Sequence, residues 1–176
     1  MARVTDFLQG NLGVASSAVT VQEFGSKYNH TTVLTFTGSS AVLPDIAGGA
    51  NLAVGKLIYT FPAGAIRVTA TKMDVGITQT QGHINADTPD IGIGTTIGSG
   101  VVAVLGGTAA FENILTGQTA TNCTGTKTVK TVDTSLVIET AGDHTVYLNV
   151  ADGWAASGDD AAILTGTVTI HWQYLG

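Results

Sequence analysis

Strand-forming side chains recur at every second position through most of this 176-residue chain, and glycine breaks the runs at short intervals. That pattern constrains the fold more than any other feature. A period of two places alternate residues on opposite faces of an extended backbone, whereas a helix needs apolar residues at i, i+3 and i+4. Thr165-Gly166-Thr167-Val168-Thr169-Ile170-His171-Trp172 is the clearest run, inside a strand read over 162–172. Thr31 to Thr37 alternates in the same way and stops at Gly38. Val19, Val21 and Glu23-Phe24 make a shorter run, and Val54 to Phe61 is closed by Pro62-Ala63-Gly64. Ala41-Val42-Leu43 runs into Pro44, which cannot donate to a ladder and marks an edge or turn. Strands are also predicted over 90–94, 101–104, 127–132, 135–139 and 145–150.

The stretch 65–79 carries a further signal. Ile66, Val68 and Ala70 share one face, whereas Met73, Val75 and Ile77 fall on the other. The phase changes near Thr71-Lys72, which predicts a bulge or bend there. One short helix is predicted near 109–115. Thr108 would cap it, Gly117 would stop it, and Phe111, Ile114 and Leu115 would form its apolar face. No repeat of solenoid or propeller length and no strand–helix alternation is visible. The sequence therefore predicts an all-β chain, a β-sandwich or jelly roll with that one helix. Residues 1–18 lack periodicity and read as an N-terminal arm, leaving 19–176 as a single sandwich domain.

Charge excludes several functions. Seven basic residues face thirteen acidic ones, for a net charge of −6. Nucleic acid and anionic membranes need clustered cations, and the only local basic group is Lys127 with Lys130. No run approaches a membrane span, and no apolar stretch of signal-peptide type follows Arg3. Synthesis in the cytoplasm as a soluble chain is the expectation. The single cysteine, Cys123, excludes an internal disulfide.

The chain also lacks the motifs of catalysis. Gly92-Ile93-Gly94-Thr95-Thr96-Ile97-Gly98 is one residue too long for a dinucleotide loop and reads as close backbone packing. Gly98-Ser99-Gly100 is a turn rather than a nucleophile elbow. Cys123 reads as a buried residue, since only Lys127 lies near enough in sequence to activate it. His30, His83, His144 and His171 show no zinc spacing. Asp87, Asp90, Asp159 and Asp160 read as turn residues rather than calcium ligands. The expectation is a non-enzyme with no metal and no cofactor.

Only 11% of the residues are charged, against about 25% in ordinary soluble proteins. Threonine, serine, glycine, asparagine and glutamine take the place of charge. This composition fits either a small β domain or, better, a subunit that buries much of its surface in an assembly, because obligate interfaces are poor in charge.

Asp90 to Thr96, then Val101 to Leu105, then Thr108 to Gly117, with a final strand ending His171-Trp172-Gln173-Tyr174, together resemble small virion proteins of tailed phages, in particular head decoration (cement) proteins. The resemblance spans roughly residues 55–176. It implies a jelly-roll subunit, forming homotrimers on the capsid exterior and binding the major capsid protein without chemistry. It also implies that the arm reaches across capsid subunits, through Arg3, Val4, Phe7, Leu8 and Leu12. One alternative is a tail or vertex receptor-binding domain that contacts host glycans, with Trp154, Tyr28, Tyr59 and the Asp-bearing loops lining a shallow groove. Another is a hydrolase built on His83 with Asp87, or on Asp143 with His144.

Overall fold

The computed structural model describes residues 13–15, 19–37, 41–44, 53–99, 102, 104–106, 110–139, 144–151, 153 and 161–176. Ten strands form among them: β1 (Val14–Ala15), β2 (Val19–Gly25), β3 (Asn29–Phe36), β4 (Val54–Thr60), β5 (Ile66–Gln79), β6 (Asp90–Gly94), β7 (Leu115–Thr119), β8 (Thr124–Ile138), β9 (Thr145–Ala151) and β10 (Ala162–Tyr174). They make two five-stranded sheets, β1-β4-β9-β6-β7 and β2-β3-β10-β5-β8.

The pairings nest. β3 pairs with β10, β4 with β9, β5 with β8 and β6 with β7, all antiparallel. Each strand from the start of the roll therefore meets its counterpart counted from the end. Contacts of β5 with β10 and of β6 with β9 complete the sheets. This is the strand order of an eight-stranded jelly roll, a double-sheet form of β-sandwich. β1 and β2 add one strand to each sheet, beside β4 and β3. Val14 and Ala15, inside the stretch read as an arm, thus pair with Thr60 and Tyr59.

The core lies between the sheets. Leu34, Met73 and Val168 stand side by side across the second sheet, fully buried. Ile58, Ile93, Leu148 and Val150 face them from the first, within one apolar cluster. Trp172 anchors one end. Its indole stacks on His30 at 3.9 Å, meets Phe61 edge-on at 5.3 Å, and donates from Nε1 to Thr32 Oγ1 at 2.8 Å.

The bulge forms two residues before the predicted place. Val68 and Ala70 pair with Trp172 and His171, which are consecutive, so Thr69 is the extra residue. The ladder to β8 shifts at the same point. The strands predicted at 127–132 and 135–139 are one strand, β8, which pairs with β5 on both sides of a register shift at Thr134-Ser135. The strand predicted over 101–104 does not form at Val102 or Val104.

The helix near 109–115 does not form. Ile114 N, which a helix would direct to Ala110 O, donates instead to Ile93 O at 3.0 Å. Ala110 O accepts from Thr96 N, and Phe111 O from Asn149 Nδ2. Asn113 Oδ1 takes Thr95 N at 3.0 Å. The backbone groups of the turn are thus claimed by the strand beneath them, and Leu115 opens β7. Gly94 permits this approach, since a Cβ there would collide with the Ala110 and Phe111 backbone.

Candidate interaction surface

The two sheets differ in what covers their outer faces. On the first, Ala53, Leu105 and Ala151 make a second small apolar cluster with Val102 and Phe111. That layer lies over β6, whose Ile91, Gly92, Ile93 and Gly94 are all buried although they point alternately to both faces. The second sheet has no such cover among the described residues. Its outer face is read directly from the ladder registers. One row runs Thr20, Thr35, Thr167, Asp74, Val129. The next runs Gln22, Val33, Thr169, Lys72, Thr131. A third runs Phe24, Thr31, His171, Ala70, Asp133.

These rows divide the face in two. The part on β2, β3 and β10 carries threonine, glutamine, valine, phenylalanine and histidine, with no Lys, Arg, Asp or Glu. The part on β5 and β8 holds Lys72, Asp74 and Asp133 in those rows, and Lys127 stands 3.6 Å from Asp74. The rows on β2, β3 and β10 thus form one uncharged patch. Thr31 Oγ1 meets His171 Nδ1 at 3.0 Å within it. At its margin Phe24 is 46% exposed and Tyr28, in the following turn, 56%. Such a neutral face, with exposed aromatics at its margin, shares with interface cores their depletion in charge.

The edges differ as well. β1 has two residues, β7 five and β2 seven, whereas β8 has fifteen. Edge strands present unpaired N–H and C=O groups, and short edges limit that hazard. Among the described residues β8 pairs on one side only, with β5. From Lys127 onward its odd-numbered residues are exposed and its even-numbered residues buried or half-buried. At its start, Gly125 takes φ +94° where the ladder to β5 shifts, and its carbonyl lies against Gly76.

The other flank of the sandwich carries a buried polar pair. Tyr59 on β4 donates its hydroxyl to Glu23 Oε1 on β2, tying the sheets together. Burial raises the Glu23 carboxyl above its ordinary value, opposed by hydrogen bonds from Tyr59 and the Gly13 backbone. Burial, and then the Glu23 charge, push the Tyr59 phenol upward. Neighbouring His30 is pushed down, again first by burial.

The predicted residues are distributed as follows. Arg3, Val4, Phe7, Leu8 and Leu12 lie outside the described residues, as do Trp154, Asp159, Asp160 and Asp143. Cys123 is buried and its thiol donates to Asp87 O at 3.5 Å, as a packed cysteine should. His144 Nε2 sits 2.7 Å from Gly64 O. Asp90 Oδ1 accepts from Thr119 Oγ1 at 2.6 Å, joining β6 to β7. Tyr59 is fully buried and lines no surface groove. Among the described residues no three His, Cys, Asp or Glu side chains converge as a metal site. The neutral patch and the long edge were not found by sequence reasoning. Alternating threonines were their only signal, and alternation does not say which strands are neighbours. No protein-family model matches the chain, and a comparison with curated proteins returns no match.

Proposed function

We propose that the protein is a structural virion subunit that decorates the exterior of a tailed-phage head and stabilises it. The observation that carries this reading is the neutral half of the second sheet's outer face. A jelly-roll surface so poor in charge, with Phe24 exposed at its margin, fits burial against a protein lattice better than contact with water. The partner is the major capsid protein. A homotrimer is the self-association, and the N-terminal segment around Arg3, Val4, Phe7, Leu8 and Leu12 supplies further contact. A ligand that binds only the mature shell stabilises it by RT ln(1 + [L]/Kd) at every site, so no catalysis is required.

Packing supports a non-catalytic reading, since Cys123 is enclosed and His30 is stacked in the core. Tyr59 is withdrawn into the core as well, and this weakens the glycan-groove alternative.

The test is copy number in purified particles, by quantitative mass spectrometry against the most abundant shell protein. A ratio near one, or a simple fraction of it, is expected. A handful of copies per particle would move the protein to the tail or a vertex, and absence from particles would overturn the virion reading.

A further inference from the structure

The strand β8 has a property that decoration does not require: its outward charges are self-complementary. Residues 126–134 read Thr-Lys-Thr-Val-Lys-Thr-Val-Asp-Thr. Reversed about Lys130, this segment sets Lys127 against Asp133, Val129 against Thr131, and Thr126 against Thr134. Lys127, Val129, Thr131 and Asp133 are all exposed and share the outer face. We propose that β8 is a self-association edge, at which two copies pair antiparallel about a two-fold axis through Lys130. Each Lys127 then lies opposite Asp133 of the partner subunit.

Three observations favour a second copy of this chain as the occupant. First, β8 is long and carries no proline, and 127–133 alternates and pairs with β5 without a break, so a ladder can form along it. Second, the charges select one register. An antiparallel pairing keeps outward residues opposite outward residues only when its axis passes through a residue. Centred on Val129, Lys127 faces Thr131 of the partner subunit. Centred on Thr131, Val129 faces Asp133 of the partner subunit. Among the charges within β8, only the Lys130 register brings opposite signs together, and it does so twice. Third, Val129, 58% exposed at the open edge, gains cover from Thr131 of the partner subunit.

Two costs stand against this pairing: Lys127 is shared with Asp74 of its own chain, 3.6 Å away, and Lys130 meets Lys130 of the partner subunit on the axis, where like charges directly opposite are unfavourable. An inward lysine is also a common guard on open edges. Here the guard is engaged. Its ammonium donates to Gly117 O of its own β7 at 2.9 Å, so each copy holds its charge on its own flank. The contact is two-fold and distinct from a three-fold one. It does not depend on the capsid reading.

Sedimentation velocity of the isolated full chain over a wide concentration range tests the association. A reversible doubling of the sedimenting unit is expected, monomer to dimer or trimer to hexamer. Asp133→Lys should weaken it by about tenfold, and adding Lys127→Asp should restore it, since two exposed pairs are first reversed and then re-formed. The register has its own test. Val129→Cys mixed with Thr131→Cys should cross-link through a short bis-thiol reagent faster than either variant alone, and buried Cys123 stays out of the reaction. A unit, monomer or trimer, that never doubles at any concentration would overturn the proposal. So would a dimer indifferent to both charge variants, or Val129→Cys linking best to itself. Failure here leaves the copy-number test untouched, and the reverse also holds.

Discussion

β8 and β10 are the two longest neighbours of β5, lie on either side of it, and draw on nearly the same strand-forming residues. One is the middle of the sheet and the other its rim. Every second residue of both points inward, but the inward residues differ. β10 sends Val168, Ile170 and Trp172 into the core, each essentially inaccessible to water. β8 sends Lys130, Val132, Thr134 and Leu136, which remain half-buried. Strand propensity is thus shared, and the inward row decides which strand becomes central. What a β-propensity scale measures is largely this packing.

The sharpest way to break the comparison is to empty the inward row of β10. Trp172→Ala should cost about 3–5 kcal/mol, measured by denaturant unfolding, because it removes a buried indole together with its contacts to His30, Phe61 and Thr32. A loss below about 1 kcal/mol would mean that the row is not the core. A matched pair sharpens the contrast. Leu164→Ala in β10 should cost about 2–5 kcal/mol, since the side chain is fully enclosed. Leu136→Ala in β8 should cost about 1 kcal/mol, because the site is already partly wet. Equal losses would erase the distinction between centre and rim.

A pH series probes the same row through His30, the stacking partner of Trp172. Its folded pKa lies below the ordinary 6.5, so the folded state favours the neutral ring. That stability is present above pH 6.5 and is lost as pH falls from there through the depressed folded value. Glu23 has the opposite sign. Its folded pKa is raised above 4.5, so its contribution is present below pH 4.5 and lost as pH rises through the folded value. With the opposing carboxyl removed by Glu23→Gln, melting temperature should drop on acidification just below neutrality, and adding His30→Phe should flatten that slope. Relative to the unmodified chain, Glu23→Gln should steepen the acid slope and stabilise the protein at neutral pH. The smallest effect belongs to the rim itself. Asp133→Lys, on the exposed face of β8, should change the unfolding free energy of the monomer by no more than about 0.5 kcal/mol.

Much of the fold was legible in the sequence because alternation is a local signal. The strands at 19–25, 29–36, 54–60, 66–79 and 162–174 follow it closely. Even the phase change in β5 was visible, displaced by two residues from the bulge at Thr69. The failures share one physical cause. Phe111, Ile114 and Leu115 have helical spacing, yet Ile93 O and Asn149, distant in sequence, hold the turn they belong to. β8 was read as two strands because nothing local shows that β5 pairs with it on both sides of the register shift at Thr134-Ser135. The neutral patch was hidden for the same reason. Thr35 and Thr167 are ordinary residues until their strands are set side by side. Composition announced that charge was missing, and only the pairing gathers the uncharged rows into one patch.

The nesting of the roll also has a consequence in time. Asn29 hydrogen-bonds Gln173 across a sequence separation of 144 residues. β10 is the last strand of the chain, yet both of its neighbours, β3 and β5, lie in the first half. Neither neighbour can complete its ladder until Ala162–Tyr174 has left the ribosome. Loop-closure entropy must be overcome before those distant pairings give any return, which makes folding of this kind slow and late. Until then the emerging chain holds β3 and β5 with open sides, so the order of synthesis leaves the centre of the sheet to be filled last.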